Sequence, residues 1–251
     1  MVSAKMSDSK VWKSCVGAMV NIIEEAAFKF APEGVKMRAM DPSHVALVDF
    51  DLPASAFSEY DVKAPVVVGV NLLEMDRILS RAKSDDELAM ELDEKQNRLN
   101  FTFKGASTRR LNLSLINVQD ADLREPKIQF TTAVDLLAGI FQDGLKDAEL
   151  VGDKVRLEVK AGEFLMVAEG DKGNSELKVS EKDKGMVKLE VSRPAGATFS
   201  SKYLSDMVKG ASSGETVHIS MGSDLPVQLD IPVSGAKGRL RFLLAPRIEA
   251  E

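Results

Sequence analysis

Apolar and polar positions along the chain follow two periods, and the shorter one dominates. Alternating or β-branched runs occupy 28–40, 44–52, 64–70, 87–93, 98–104 and 109–116. The second half has the same texture at 154–160, 163–169, 175–180, 186–192, 215–221, 226–233 and 238–244. A period of two sends successive side chains to opposite faces of a sheet, so these runs predict strands. Four stretches follow the helical period instead. At about 9–25, Trp12, Cys15, Val16, Met19, Ile22, Ile23 and Ala26 share a face, with Lys10, Lys13, Gly17 and Asn21 opposite. At about 71–83 the apolar stripe is Leu72, Met75, Ile78, Leu79 and Ala82, and Arg77 and Arg81 lie outside it. The third, about 133–148, buries Val134, Leu137, Phe141 and Leu145 and shows Asp135, Gly139, Gln142 and Lys146. The fourth, about 201–211, buries Tyr203, Leu204, Met207 and Val208 and shows Lys202, Ser205 and Lys209. The expected class is α+β.

The pattern repeats. Gly105-Ala-Ser-Thr-Arg109 has a counterpart in Gly235-Ala-Lys-Gly-Arg239, an offset of 130, and Gly34 before one strand matches Gly162 before another, an offset of 128. The helical pattern at 71–83 recurs at 201–211. Several matches at nearly one offset predict a duplication of about half the chain. Asn117–Phe130 has neither period and is interrupted by Pro126, which predicts a surface connector. The expected layout is two similar domains, 1–116 and 132–251, joined by a connector over 117–131.

Composition narrows the class. Hydrophobic residues make up 44% and charged residues 29%, as in an ordinary globular protein. No apolar run approaches the roughly 20 residues of a membrane span, and the longest, Ala64–Val70, reads as a buried strand. The first residues lack the apolar core of a signal peptide. Cys15 is the only cysteine, so no intrachain disulfide forms and a reducing, cytoplasmic location is expected. Net charge is −6, from 39 acidic and 33 basic side chains. That sum argues against nucleic acid unless the cations gather on one surface.

Catalytic chemistry finds little support. His44 and His218 stand far apart in the chain, and no metal-ligand spacing, nucleophile elbow or phosphate-binding glycine loop is present. Asp49 with Asp51, and Asp85-Asp86-Glu87, are open to Mg²⁺ but read more simply as strand and turn surface. Neither an enzyme, a cofactor nor a resident metal is expected.

Met37-Arg-Ala-Met-Asp-Pro-Ser-His-Val-Ala-Leu-Val-Asp-Phe50, read with the tail Phe242-Leu-Leu-Ala-Pro-Arg-Ile-Glu249, resembles the signature of the archaeal and eukaryotic sliding clamps, the proliferating cell nuclear antigens. Glu25-Ala-Ala-Phe28, Gly69-Val-Asn-Leu72 and Tyr203-Leu-Ser-Asp-Met-Val-Lys209 fit the same family, so the resemblance runs end to end. It implies the clamp fold, with antiparallel sheets and two helices per domain. It also implies a closed homotrimeric ring around duplex DNA, associated with the nucleoid. Polymerase, clamp loader, flap endonuclease and ligase are the implied partners, docking through short apolar-anchored peptides. A heterotrimer with paralogues, and an interaction scaffold that encircles nothing, are the alternatives.

Site residues follow from the resemblance, each beside a plainer reading. Lys13, Arg77, Lys146, Lys202, Lys209 and Arg247 match positions that face phosphates; otherwise they are solvated helix faces and a basic tail. Where relatives often have a further lysine in the first helix, this chain has Val20. A pocket for partners is implied at Met40, His44, Val45, Leu47, Leu123, Pro126, Leu225, Pro226, Leu243, Ala245 and Pro246, each of which taken singly reads as core or loop. The subunit seam would join the edges Thr108–Ile116 and Gly173–Ser180. Arg81, Lys83 and Arg109 would there oppose Asp143 and Asp147, all otherwise solvated charges.

Overall fold

The computed structural model describes residues 2–118, 123, 126–171, 173–233, 235 and 237–248. The chain divides into two compact units. The first comprises Met1–Pro42, Val48–Leu123 and Pro232–Leu240; the second comprises Ser43–Leu47, Arg124–Ile231 and Arg241–Glu251.

The first half of the chain forms β1 (Val2–Met6), α1 (Lys10–Met19), β2 (Glu25–Ala31), β3 (Gly34–Met40), β4 (Ala46–Pro53), β5 (Glu59–Val62), β6 (Val66–Asn71), α2 (Leu72–Leu79), β7 (Glu87–Asp93), β8 (Arg98–Lys104) and β9 (Thr108–Ser114). The second half forms β10 (Thr132–Leu137), α3 (Ala138–Val151), β11 (Lys154–Lys160), β12 (Glu163–Gly170), β13 (Gly173–Ser180), β14 (Met186–Val191), β15 (Ala195–Ser200), α4 (Ser201–Val208), β16 (Thr216–Met221), β17 (Val227–Val233) and β18 (Gly238–Leu244). The two series have the same order of strands and helices. Their pairing repeats too: β5-β1-β7-β8-β9 corresponds to β14-β10-β16-β17-β18, and β4-β3-β2-β6 to β13-β12-β11-β15. Details recur at the turns. Gly34 and Gly162, which open β3 and β12, both have positive φ, 146° and 84°. A side chain on Gly34 would bring its Cβ within 2.7 Å of Pro53 Cα, so the turn excludes one sterically as well as conformationally. Tyr60 fastens that turn by donating its hydroxyl proton to the carbonyls of Ala31 and Gly34 (2.8 and 2.9 Å), and burial pushes its phenol up to about 12.

Alternation places the core. Val2, Ala4 and Met6 of β1 are buried between half-exposed Ser3 and Lys5. Trp12 of α1 is fully buried, meeting the edge of Phe28 at 5.5 Å between ring centroids and Phe50 at 5.4 Å. In the second unit Phe141 of α3 lies 6.1 Å from Phe164 of β12. Burying an aromatic side chain of this size contributes about 1.5–3 kcal/mol of transfer free energy.

The elements depart from the sequence pattern in identifiable places. The helix expected at 133–148 begins at Ala138 and continues to Val151, while Thr132–Leu137 is a strand. Val134 and Leu137 therefore belong to β10; β14 and β16 pair with it on both sides, and that satisfies its backbone better than an isolated turn of helix would. The first helix stops at Met19, and Ile22 and Ile23 remain buried beyond it, their amides donating to the Met19 carbonyl. The run at 28–40 is a hairpin, folded at Gly34. No helix among the described residues is long and apolar enough to cross a membrane.

Candidate functional site

Each unit carries a pair of packed helices. In the first, α1 lies against α2 and the Lys13 ammonium approaches the Ser80 carbonyl at 3.5 Å. Asn71 caps α2, its side-chain oxygen accepting from the Glu74 amide at 3.0 Å, which fixes Glu74 in the first turn. Arg77, one turn on, then pairs with Glu74 at 2.6 Å. In the second unit Gln142 of α3 donates to the carbonyls of Val208 and Ala211 (2.8 and 2.9 Å), tying the end of α4 to α3. A groove of about 410 Å³ follows, lined by Gln142, Lys146, Glu149, Lys202, Ser205, Asp206, Val208 and Lys209.

Three of the expected cations thus surround one groove. Lys146 pairs with Asp143 at 2.8 Å and Lys202 with Asp206 at 3.0 Å. The hydrogen bond that Lys202 donates to Asp206 raises the ammonium above its usual pKa. Lys209 is exposed and makes no ion pair among the described residues. Arg247 is absent from the groove lining. Its amide donates to the Thr198 carbonyl at 2.7 Å and its guanidinium pairs with Asp153 at 2.8 Å, beside a hollow of about 290 Å³ lined also by Arg156, Asp224, Pro246 and Ile248.

The apolar set separates by burial. Leu47 and Leu243 are 5% exposed and belong to the strand core, whereas Val45 and Leu225 are each 38% exposed. Ala245 and Val45 are joined by a backbone hydrogen bond of 2.8 Å. Leu225 folds back over Gly222, whose absent Cβ leaves it room: a Cβ there would come within 2.7 Å of Leu225 Cδ1. His44 and Asp224, with φ of 58° and 54°, turn the loops that carry Val45 and Leu225. Pro226 and Pro246 are half-buried and Pro126 is exposed. Met40 and Leu123 are counted with the first unit. There Arg38, which the sequence pattern did not single out, donates to the Leu123 carbonyl at 3.0 Å while pairing with Asp49 at 2.9 Å. Residues 119–122 and 124–125 of the connector lie outside the described residues.

At the expected seam, β9 and β13 each end their sheet order, whereas the corresponding strands β18 and β4 are neighbours. Arg109 is engaged within its own chain. It pairs with Asp86, donates to the Arg81 carbonyl at 2.7 Å and lies 5.5 Å over the Phe103 ring. Asp86 is only 2% exposed and also accepts from the Lys83 amide at 2.8 Å. The side chains of Arg81, Lys83, Asp143 and Asp147 are exposed, as is Leu111 on β9. Asp49 and Asp51, read above as open to Mg²⁺, are held by Arg38 and by Lys36 (3.1 Å). Sequence spacing also concealed a neighbourhood for His218: cross-strand register sets it on Asp135, with Ser220 Oγ 3.2 Å from its other ring nitrogen.

Comparison with known proteins supplies the context for this arrangement. Residues 1–125 match the family description "Proliferating cell nuclear antigen, N-terminal domain", and residues 124–247 match "Proliferating cell nuclear antigen, C-terminal domain". The chain belongs to the proliferating cell nuclear antigen family. Among its relatives is DNA polymerase sliding clamp 1 of Thermococcus kodakarensis, 40% identical over 96% of each chain. The DNA polymerase sliding clamp of Pyrococcus furiosus is 38% identical over the same shares. A crystal structure of the proliferating cell nuclear antigen from Thermococcus kodakaraensis superposes with a TM-score of 0.94 at 28% identity, covering 98% of this chain and all of that one. The proliferating cell nuclear antigen of A. fulgidus, solved with the C-terminal region of FEN-1 bound, gives 0.90 at 25% identity over the whole of both chains. As a proliferating cell nuclear antigen, the chain falls in a family of processivity factors, not of enzymes.

Proposed function

We propose that this chain is the subunit of a homotrimeric DNA polymerase sliding clamp. Three copies close a ring around duplex DNA without reading its sequence. The observation that carries this reading is the duplicated topology, in which β9 and β13 each end a sheet although their counterparts β18 and β4 are paired. One chain therefore offers both halves of a heterologous interface, which closes a ring when its rotation permits. That also favours identical subunits over a mixture of paralogues. Within this reading the domains are 1–116 and 132–251 with the connector 117–131. The setting is the cytoplasm, on the nucleoid.

The two helix pairs face the duplex, with Lys13, Arg77, Lys146, Lys202 and Lys209 as its cations. Long side chains at several heights exchange phosphates without fixing a register, as sliding requires. Arg247 contributes to DNA only if it leaves Asp153. The seam carries Arg81 and Lys83 opposite Asp147, with Arg109 as an internal brace and Asp143 shared with Lys146. Exposed ion pairs contribute about 0–1 kcal/mol each, so strand pairing and apolar contact at Leu111 supply most of the closure.

The deciding experiment compares retention on a nicked circular duplex with retention on the same DNA after linearisation, once the clamp has been loaded. The expected result is a long-lived complex on the circle that is lost on cutting, together with a trimer in native mass spectrometry. Equal retention on both forms would show ordinary binding in place of topological linkage.

Partners such as polymerase, loader, flap endonuclease and ligase dock on the apolar surface around Val45, Leu225, Pro226, Ala245 and Pro246, bordered by His44 and Pro126. Leu47 and Leu243 support it from the core. The expected effect of Val45→Ala with Leu225→Ala is roughly a tenfold or greater loss of affinity for an apolar-anchored partner peptide, since truncating interface anchors costs about 1–2 kcal/mol each. Calorimetric titration checks it, with the trimer mass unchanged because both side chains are surface groups. Undiminished binding would place the docking surface elsewhere.

A further inference from the structure

Arg77, Lys146 and Lys202 each carry a carboxylate on their own helix, at 2.6, 2.8 and 3.0 Å. Glu74 is three residues before Arg77, Asp143 is three before Lys146, and Asp206 is four after Lys202. These spacings put each pair on one helical face. Lys13 and Lys209 have no carboxylate partner among the described residues. The candidate DNA face is therefore a mixture of free and neutralised cations.

We infer that Glu74, Asp143 and Asp206 limit how strongly the helix face holds DNA, each by occupying the cation that would otherwise neutralise a phosphate. This rests on the reading that the helix pairs face the duplex. The physical basis is counterion accounting. Salt-dependent affinity comes from the ions released when a protein cation neutralises a phosphate. A cation that stays paired with its carboxylate releases none. One that turns to a phosphate leaves a bare carboxylate beside the backbone, which repels it and takes up a cation from solution. In either case the pair contributes little to the net release. A grip set by Lys13 and Lys209 alone, with three balanced pairs around them, suits a ring that must remain on DNA by topology while moving freely along it. Asp206 is the most enclosed of the three acids, with its side chain 14% exposed, and so is the best placed to keep its lysine occupied.

The test removes the acids and keeps the cations. Glu74→Gln with Asp206→Asn preserves side-chain shape; Asp143 is left alone because it also lies at the proposed seam. Affinity for a short linear duplex is measured across a range of salt, and diffusion of the loaded ring is followed on long DNA. The expected result is a log–log salt slope steeper by about 1–2 and roughly tenfold tighter binding at low salt, from about 0.9 per newly neutralised charge. Diffusion along DNA should slow correspondingly. Glu59→Gln, which frees Lys5 from a 2.6 Å pair between β1 and β5, controls for net charge and should leave the slope alone. An unchanged slope in E74Q/D206N overturns the inference, as does an equal steepening in E59Q. If alanine at the five cations leaves the slope unchanged, the DNA-facing reading fails and the inference with it. If that variant flattens the slope while E74Q/D206N does not alter it, only the role of the acids is refuted. Should Asp206→Asn lower the trimer yield, E74Q alone carries the test, because Glu74 is a surface residue.

Discussion

Alanine at Lys13, Arg77, Lys146, Lys202 and Lys209 together should abolish most of the salt dependence of duplex binding and sharply slow loading onto circular DNA. With net ion release set by Lys13 and Lys209, the two of these cations unpaired among the described residues, the parent's binding weakens on the order of tenfold between roughly 50 and 200 mM salt. The variant should lose nearly all of that change. Its fold should persist, for three separate reasons. Alanine is the best helix former. The cations lie on the polar sides of their helices, away from the buried stripes. The ion pairs lost are of the exposed i,i+3 and i,i+4 kind, worth about 0.3–0.5 kcal/mol each. Native mass spectrometry should still give a trimer. An unaltered salt slope in an intact trimer would mean that DNA meets another surface.

The second large effect concerns Asp86, a carboxylate almost wholly removed from solvent. Its oxygens receive the Arg109 guanidinium and the Lys83 amide, and its carbonyl accepts from Ser9 at 3.3 Å. Removing one partner of a buried pair typically costs about 3–5 kcal/mol. Here the Arg109 side chain is 28% exposed, so solvent recovers part of the loss and Asp86→Asn should cost about 2–4 kcal/mol. Arg109 stands on β9, so its release should also loosen the strand that the seam uses. The expected result is a lower urea midpoint, measured at one fixed protomer concentration because assembly and stability are linked. The trimer should also dissociate at higher protein concentration than the parent. A midpoint within experimental error of the parent would show that Phe103 packing and the Arg81 carbonyl suffice to hold Arg109.

The positions where sequence reading succeeded share a physical character. Glu87–Asp93, Arg98–Lys104, Lys154–Lys160 and Gly238–Leu244 are strands at the bounds their alternation indicates, because one face of each is buried and the other is not. The helical stripes were legible for the same reason. Residues 133–137, which form most of β10, carry a helical pattern because the run from Val134 to Leu145 fits a 3.6 period as well as a strand followed by a helix. Only the partners β14 and β16 decide between them. Ala195–Ser200 and Glu59–Val62 are short, and their strand character comes from pairing with β11 and β1.

The sequence by itself determined the α+β class, the duplication, the family and the set of cations on polar helix faces. Each of these depends on residues close together in the chain or on composition and motif. Even the carboxylates beside Arg77, Lys146 and Lys202 stand at helical spacing. Tertiary structure alone decided which charges are engaged and which apolar residues are accessible. Asp86 with Arg109 and Asp135 with His218 are 23 and 83 residues apart, and nothing local foretells either pairing. Strand register brings them together, and a shift of one residue would turn each side chain to the opposite face. Leu47 in β4 and Val45 in the bend just before it, two residues apart in one alternating run, end 5% and 38% exposed. The periodicity is the same for both; the strand begins between them, and only the residue within it is packed into the core.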